Sequence, residues 1–291
     1  MSAHTKNAAL TGPVGATAEG AGGGVGVGGG VGASPQGGTA LLSVQGLRKS
    51  FGGVVAVDGV GFELRAGELL ALIGPNGAGK STCFNTINGQ LAPDAGSVML
   101  EGRDIAGMAP RAIWRLGVGR TFQVAATYAS MSVVENVQMA LLSRERQLFR
   151  FFARAAQMHR DEALALLAQV GLAHLADVPC STLAYGDIKT VELAVALANR
   201  PKLLLMDEPT AGMAPRERNA LMALTRRLVR ELGIGVLFTE HSMDVVFAHA
   251  DRIIVLARGR LIAQGDPAVI RDDPKVAEVY FGSGKLLAGR Q

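Results

Sequence analysis

Hydrophobic and polar positions along the chain fall into distinct regimes. Residues 1 to about 39 follow no period. They are Gly, Ala, Val and Thr with almost no charge, including Gly22-Gly-Gly-Val-Gly-Val-Gly-Gly-Gly30. Such a segment cannot bury enough side chain to offset the entropy of ordering glycine, so disorder is expected. From Leu41 the pattern becomes strand-like: Leu41–Leu47 and Val54–Leu64 flank the turn Ser50-Phe51-Gly52-Gly53. Glu68-Leu-Leu-Ala-Leu-Ile73 is a near-continuous apolar run, as expected of a buried parallel strand, and Ser81 to Gln90 reads as a short helix. Strand Ser97–Leu100, turn Glu101-Gly-Arg-Asp104 and a helix near Pro110–Leu116 follow.

Between Val133 and about Val170 the period changes to helical, with Val133, Val134, Val137, Leu141 and Leu142, then Ala163, Leu164, Leu166, Leu167 and Val170. Strand and helix alternate again from Lys202. The strands are Leu203–Met206, Gly235–Thr239, Arg252–Leu256 and Arg260–Ala263; the helices are Pro215–Leu232, Ser242–His249 and a C-terminal pair ending near Tyr280. The expected architecture is an α/β core that carries antiparallel strands at its start and is interrupted by an all-helical insert. One folded domain is expected over 40–284, with the helical part at approximately 124–200 and a short tail at 285–291.

Composition narrows the class. The 291 residues are 48% hydrophobic, enough for one large domain with a sub-domain. No run of about eighteen uncharged apolar residues suggests a membrane span, and the N-terminus lacks the basic start and apolar core of a secretory signal. Cys83 and Cys180 are the only cysteines, which argues against a disulfide framework or zinc cluster. Cys83 is expected to be a buried structural thiol. These points favour a cytoplasmic protein. The net charge of +4 is spread among acids, as in Arg216-Glu-Arg218, and reads as a mixed solvated surface. The stretch Arg144, Arg146, Arg150, Arg154 and Arg160 with Phe149, Phe151 and Phe152 fits an ordinary amphipathic helix or one lying near lipid headgroups.

The candidate chemistry begins at Gly74-Pro75-Asn76-Gly77-Ala78-Gly79-Lys80-Ser81, which fits the phosphate-binding pattern G-x-x-x-x-G-K-[ST]. Glycines let backbone N–H groups converge on phosphate oxygens, Lys80 supplies a charge to the β- and γ-phosphates, and Ser81 offers a hydroxyl to Mg²⁺. The following helix, through Thr82, points its positive end at the anion. The second half is Leu203-Leu-Leu-Met-Asp207-Glu208-Pro209, an apolar strand ending in two carboxylates. Asp207 is placed to hold Mg²⁺, directly or through water, and Glu208 to orient or deprotonate the attacking water.

With these motifs the chain resembles the ATP-binding cassette family over about residues 41 to 281. Gly119-Arg-Thr-Phe-Gln123 looks like the family's glutamine loop, and Leu183-Ala184-Tyr185-Gly186-Asp187 sits where the family signature sits. Thr239-Glu240-His241-Ser242 looks like the histidine switch, and Phe51 occupies the position of the adenine-stacking aromatic. The resemblance implies a P-loop NTPase cassette that hydrolyses ATP with Mg²⁺. Gln123 would touch Mg²⁺ or its water, and His241 would sense the γ-phosphate. Phe51 would stack on adenine, although a core position beside the Gly-Gly turn fits it too. The resemblance further implies a head-to-tail dimer in which each site takes the phosphate loop of one chain and the signature of the other, so a second ATPase chain, here expected to be a different one, completes the site.

Within that family the chain is most similar to the ATPases of bacterial branched-chain amino acid importers. Ser-Phe-Gly-Gly-Val-Val-Ala-Val57, Pro-Thr-Ala-Gly-Met-x-Pro215, Glu-His-Ser-Met-Asp-Val-Val-Phe247 and Val-Tyr-Phe-Gly282 carry that likeness. It implies transmembrane permease partners, a periplasmic binding protein at one remove, no nucleic acid, and a peripheral position on the cytoplasmic face of the inner membrane. Urea or amide import, lipid or lipopolysaccharide export, and a soluble non-transport cassette are the rival assignments. Three residues depart from the family pattern: Ala184 replaces the usual signature serine, Asp187 the usual glutamine, and Ala214 a polar residue. A weaker contribution to the partner's ATP site is expected.

Overall fold

The computed structural model describes residues 40–121, 127–144 and 159–281. The chain divides into two units, Met1–Gly37 and Gly38–Gln291, and all described residues lie in the second. The glycine-rich segment, Gln123, the Phe149–Phe152 stretch and the last ten residues fall outside the described residues.

Two sheets organise the structure. β1 (Leu42–Phe51) and β2 (Val54–Leu64) form a hairpin through Gly52 and Gly53, both at positive φ. With β4 (Ala95–Leu100) and the two-residue β5 (Arg103–Asp104) they build a four-stranded antiparallel sheet in the order β2-β1-β4-β5. The turn is tighter than the sequence suggests, because Ser50 and Phe51 still pair with Val55 and Val54.

β3 (Leu69–Ile73), β6 (Val118–Thr121), β7 (Leu203–Asp207), β8 (Gly235–Thr239) and β9 (Arg252–Ala257) are mutually parallel. β10 (Arg260–Gly265) closes one edge antiparallel to β9, and the order is β10-β9-β3-β8-β7-β6.

The helices are α1 (Lys80–Ile87), α2 (Pro110–Arg115), α3 (Val133–Arg144), α4 (Arg160–Gln169), α5 (Tyr185–Leu197), α6 (Pro215–Leu232), α7 (Met243–His249), α8 (Pro267–Arg271) and α9 (Pro274–Phe281). Among the described residues none is long and apolar enough to cross a membrane.

The continuous apolar runs of the central strands have a simple cause. Successive strand residues point to opposite faces, and both faces of this sheet are covered. Leu69, Ala71 and Ile73 of β3 join Leu204, Met206, Val236, Phe238, Ile253 and Val255 in one core, shared with α3, α5, α6 and α7. Leu70 and Leu72 join Leu203, Leu205, Leu237, Ile254 and Leu256 in the other, shared with α1 and the antiparallel sheet. A strand buried on both sides has no polar position to spare, so alternation disappears from the sequence.

The expected antiparallel strands at the start, α/β core and helical insert are all present. Two short strands, β5 and β6, escape the sequence pattern. β6 contains Gly119 and Arg120 and spans four residues, too short and too polar to signal a strand.

Candidate nucleotide site

The phosphate loop leaves β3 at Gly74 and enters α1 at Lys80. It is clamped from both sides. A Cβ on Gly74 would lie 2.2 Å from the Leu256 carbonyl oxygen, and one on Gly79 2.4 Å from that of Ala56. Gly77 and Gly79 hold positive φ angles of 77° and 101°, which L side chains rarely adopt. Asn76 and Gly77 are exposed at the tip, Pro75 is half-buried and Ala78 is buried beneath them.

The Lys80 side chain is buried, and its Nζ donates to the Gly74 and Pro75 carbonyls at 2.7 and 3.1 Å. Burial pushes its pKa down, and the charges of Glu208 and Asp207 oppose that shift. Thus the structure brings Lys80 into electrostatic reach of both carboxylates. Ser81 is exposed and Thr82 half-exposed on the first turn of α1.

β8 lies between β3 and β7, so its end bridges the two halves of the site. Thr239 pairs with Asp207 in register, and its hydroxyl donates to Asp207 Oδ1 at 2.7 Å. The Glu208 N–H donates to both the Thr239 carbonyl and its Oγ1 at 3.1 Å. These bonds hold Glu208 at a positive φ of 49°, an uncommon conformation for a non-glycine residue and one that turns its carboxylate off the strand line. There it meets His241, whose Nε2 lies 2.8 Å from Glu208 Oε1. With a carboxylate as acceptor, Nε2 carries the donating proton.

Four further residues support this cluster and were not singled out by sequence. Glu240 is buried and accepts hydrogen bonds from the N–H and hydroxyl of Thr210, at 2.9 and 2.6 Å, and from the His241 N–H at 3.1 Å. It joins the loop after Glu208 to the loop that carries His241. Arg120 on β6 donates through Nη1 to Asn85 Oδ1 at 3.1 Å and places Nη2 3.5 Å from Asp207 Oδ2. It has no local signal in the sequence, since β6 itself is too short and polar to be read as a strand.

Phe51 is 46% exposed at the end of β1, with Lys49 Nζ 5.6 Å from its ring centre. The core alternative for this ring is thereby excluded. Cys83 is fully buried, its thiol pushed up to about 12 by desolvation, which fits a structural role.

The Leu183–Asp187 stretch opens α5, with exposed Ala184 as its N-cap offering no side-chain hydrogen bond. Gly186 packs toward the Glu217 carboxyl, and Tyr185 toward Gly212. Within α5, Lys189 Nζ stands 5.6 Å from the Tyr185 ring centre, and just before the helix the Leu183 N–H donates to the Cys180 carbonyl at 3.3 Å. Ala214 caps α6 without a polar side chain, and Glu217 Oε2 accepts its N–H at 3.3 Å instead.

A phosphate loop, a strand-end carboxylate pair and a histidine two residues past the end of the intervening strand define a nucleoside triphosphatase. Comparison with known proteins gives its family. The ABC transporter family model matches residues 57–211, and the model for the branched-chain amino acid ATP-binding cassette transporter matches 260–285. The chain belongs to the ABC transporter family, as an ATP-hydrolysing cassette.

It is 38% identical over 252 residues to the high-affinity branched-chain amino acid transport ATP-binding protein LivG of Salmonella typhimurium, covering 83% of this chain and 98% of that one. Its structure is similar to the ADP conformation of MJ1267, an ATP-binding cassette of an ABC transporter, with a TM-score of 0.75 and 33% identity over 84% and 99% of the two chains. It is also similar to a dimeric post-hydrolysis state of the cassette MJ0796 bound to ADP and Pi, with a TM-score of 0.65 and 25% identity over 78% and 98%.

Proposed function

We propose that this chain is the ATPase subunit of an importer for branched-chain or related amino acids, working at the cytoplasmic face of the membrane with a second cassette chain and transmembrane permeases. The observation that carries the cargo class is the match of the C-terminal residues 260–285 to the branched-chain cassette model, beyond the general cassette match. Its likeness to LivG over nearly the whole of that protein supports the same reading. The dimeric relative bound to ADP and Pi supports a paired arrangement, in which Leu183–Asp187 faces the nucleotide of the partner cassette.

In this reading the loop Gly74–Thr82 cradles the triphosphate with backbone N–H groups and the positive end of α1. Lys80 exchanges its two loop carbonyls for phosphate oxygens, and Phe51 offers its exposed ring to the base. Glu208 takes the proton of the attacking water, and His241, already in contact with Glu208, keeps that carboxylate oriented and meets the γ-phosphate side.

The donors suit Mg²⁺, a hard cation that takes oxygen ligands and keeps several waters. Asp207 offers a carboxylate pinned by Thr239, and Ser81 an exposed hydroxyl. When bound, Mg²⁺ neutralises charge on the β- and γ-phosphate oxygens. Gln123 is assigned as a further ligand on the family pattern. The test is ATP-dependent uptake of radiolabelled leucine by membranes holding the chain with its permeases. Lys80→Ala abolishes uptake if the reading holds.

A further inference from the structure

Arg120 does more than fill a gap in a buried strand. Its side chain is 13% exposed, and its guanidinium reaches Asn85 Oδ1 through one nitrogen and stands 3.5 Å from Asp207 Oδ2 with another. Asn85 is four residues after Ser81 on α1, so it occupies the same face one turn on. Asp207 ends β7, and Arg120 itself lies three residues before Gln123. One planar fork therefore ties α1, which carries Ser81, to the end of β7, which carries Asp207, the two described segments with side chains assigned to Mg²⁺. A fork geometry fixes two oxygens at a set spacing, which the point charge of lysine cannot do.

A positive charge beside Asp207 also competes with any cation that approaches this carboxylate. Without nucleotide, the pair is self-compensated and a divalent ion gains little by binding. With nucleotide, phosphate oxygens add the negative charge and ligands that shift the balance. We infer that Arg120 is a positioning residue that stands in for the divalent cation, holding Asp207 and α1 at metal-ready spacing and keeping the cation out until the nucleotide arrives. The inference rests on Asp207 as the metal carboxylate of the proposed site.

The test measures Mn²⁺ binding to the purified full-length chain by electron paramagnetic resonance of the free ion, with and without a non-hydrolysable ATP analogue. The wild type is expected to bind Mn²⁺ weakly alone and far more tightly with the analogue. Arg120→Gln should raise nucleotide-free Mn²⁺ affinity by about tenfold, because a positive charge that repels the ion and compensates the part-buried carboxylate is removed. Arg120→Lys, which keeps the charge, should stay close to wild type in that measurement. A purely structural arginine would lower thermal stability on substitution and leave these affinities alone.

Nucleotide-free Mn²⁺ binding by Arg120→Gln no tighter than wild type overturns the inference. Should that variant fail to fold, wild-type binding that is equally tight with and without the analogue overturns it. Asp207→Asn separates the two levels: unchanged nucleotide-dependent Mn²⁺ binding there removes Asp207 from the metal site. Loss of binding there, together with no effect of Arg120→Gln, removes only the role given to Arg120.

Discussion

Replacing Glu208 by Gln changes one atom in the position proposed to receive the water's proton. The backbone should tolerate it, because the two bonds that hold the positive-φ turn come from the residue's own N–H to Thr239. An amide oxygen also accepts from His241 Nε2, which now lies 2.8 Å from the carboxylate. A hydrogen bond to a neutral acceptor is weaker than one to a charged acceptor by about 1 kcal/mol. Solvent reduces that difference here, since His241 and Glu208 side chains are 51% and 23% exposed. The melting temperature should therefore fall by no more than about 4 °C.

Catalysis should respond far more. Loss of a general base costs about two to four powers of ten, or roughly 3–5 kcal/mol on the barrier. ATP affinity should hold or rise, because one negative charge leaves the neighbourhood of the γ-phosphate. Single-turnover phosphate release and equilibrium ATP binding, measured on the same assembled transporter, separate these effects. Turnover within about tenfold of wild type would show that Glu208 is not the base.

Other outcomes follow from the same geometry. Gly79→Ala forces a Cβ to 2.4 Å from the Ala56 carbonyl at a φ of 101°, so ATP binding in a fluorescence titration should be lost while the rest of the fold persists by circular dichroism. Glu240→Ala removes three hydrogen bonds from a buried carboxylate and should cost about 3 kcal/mol, lowering the melting temperature by about 6–12 °C. Glu240→Gln, keeping an acceptor, should cost less than half of that. Arg144, then Arg200, hold Glu162 below its ordinary pKa of 4.5. Its contribution to stability is present above that value and lost as pH falls through the depressed folded-state value, so Glu162→Gln should flatten the acid side of a melting-temperature profile. If the second cassette carries a serine-containing signature, Glu208→Gln here should impair transport more than the equivalent change in the partner, because Ala184 and Asp187 offer that partner's nucleotide neither hydroxyl nor favourable charge. Equal effects of the two single mutants would remove the asymmetry.

Much of this fold was legible because its central strands are bounded apolar runs. β3, β7 and β8 each fill both cores, and their ends are marked by Gly74, Asp207 and Thr239. The phosphate loop was readable because its glycines answer to backbone geometry and close contacts, as at Gly74 and Gly79. What stayed hidden depends on residues far apart in sequence. Arg120 and Asp207 are separated by 87 positions, and Thr210 and Glu240 by 30, with nothing local to announce either pairing. β6 is a strand through its parallel register with β7 and not through its own sequence. The positive φ of Glu208 arises from bonds to a neighbouring strand, so composition alone could not reveal how its carboxylate turns toward His241.

The most direct measurement is leucine uptake in membrane vesicles from cells that lack this chain, supplied with internal ATP and complemented with wild type or Lys80→Ala. ATP-dependent uptake should be restored by the wild type and absent with Lys80→Ala, since the ammonium that now bonds Gly74 and Pro75 is needed by the triphosphate. Equal uptake with Lys80→Ala, or uptake that never depended on the chain, would contradict the proposed function.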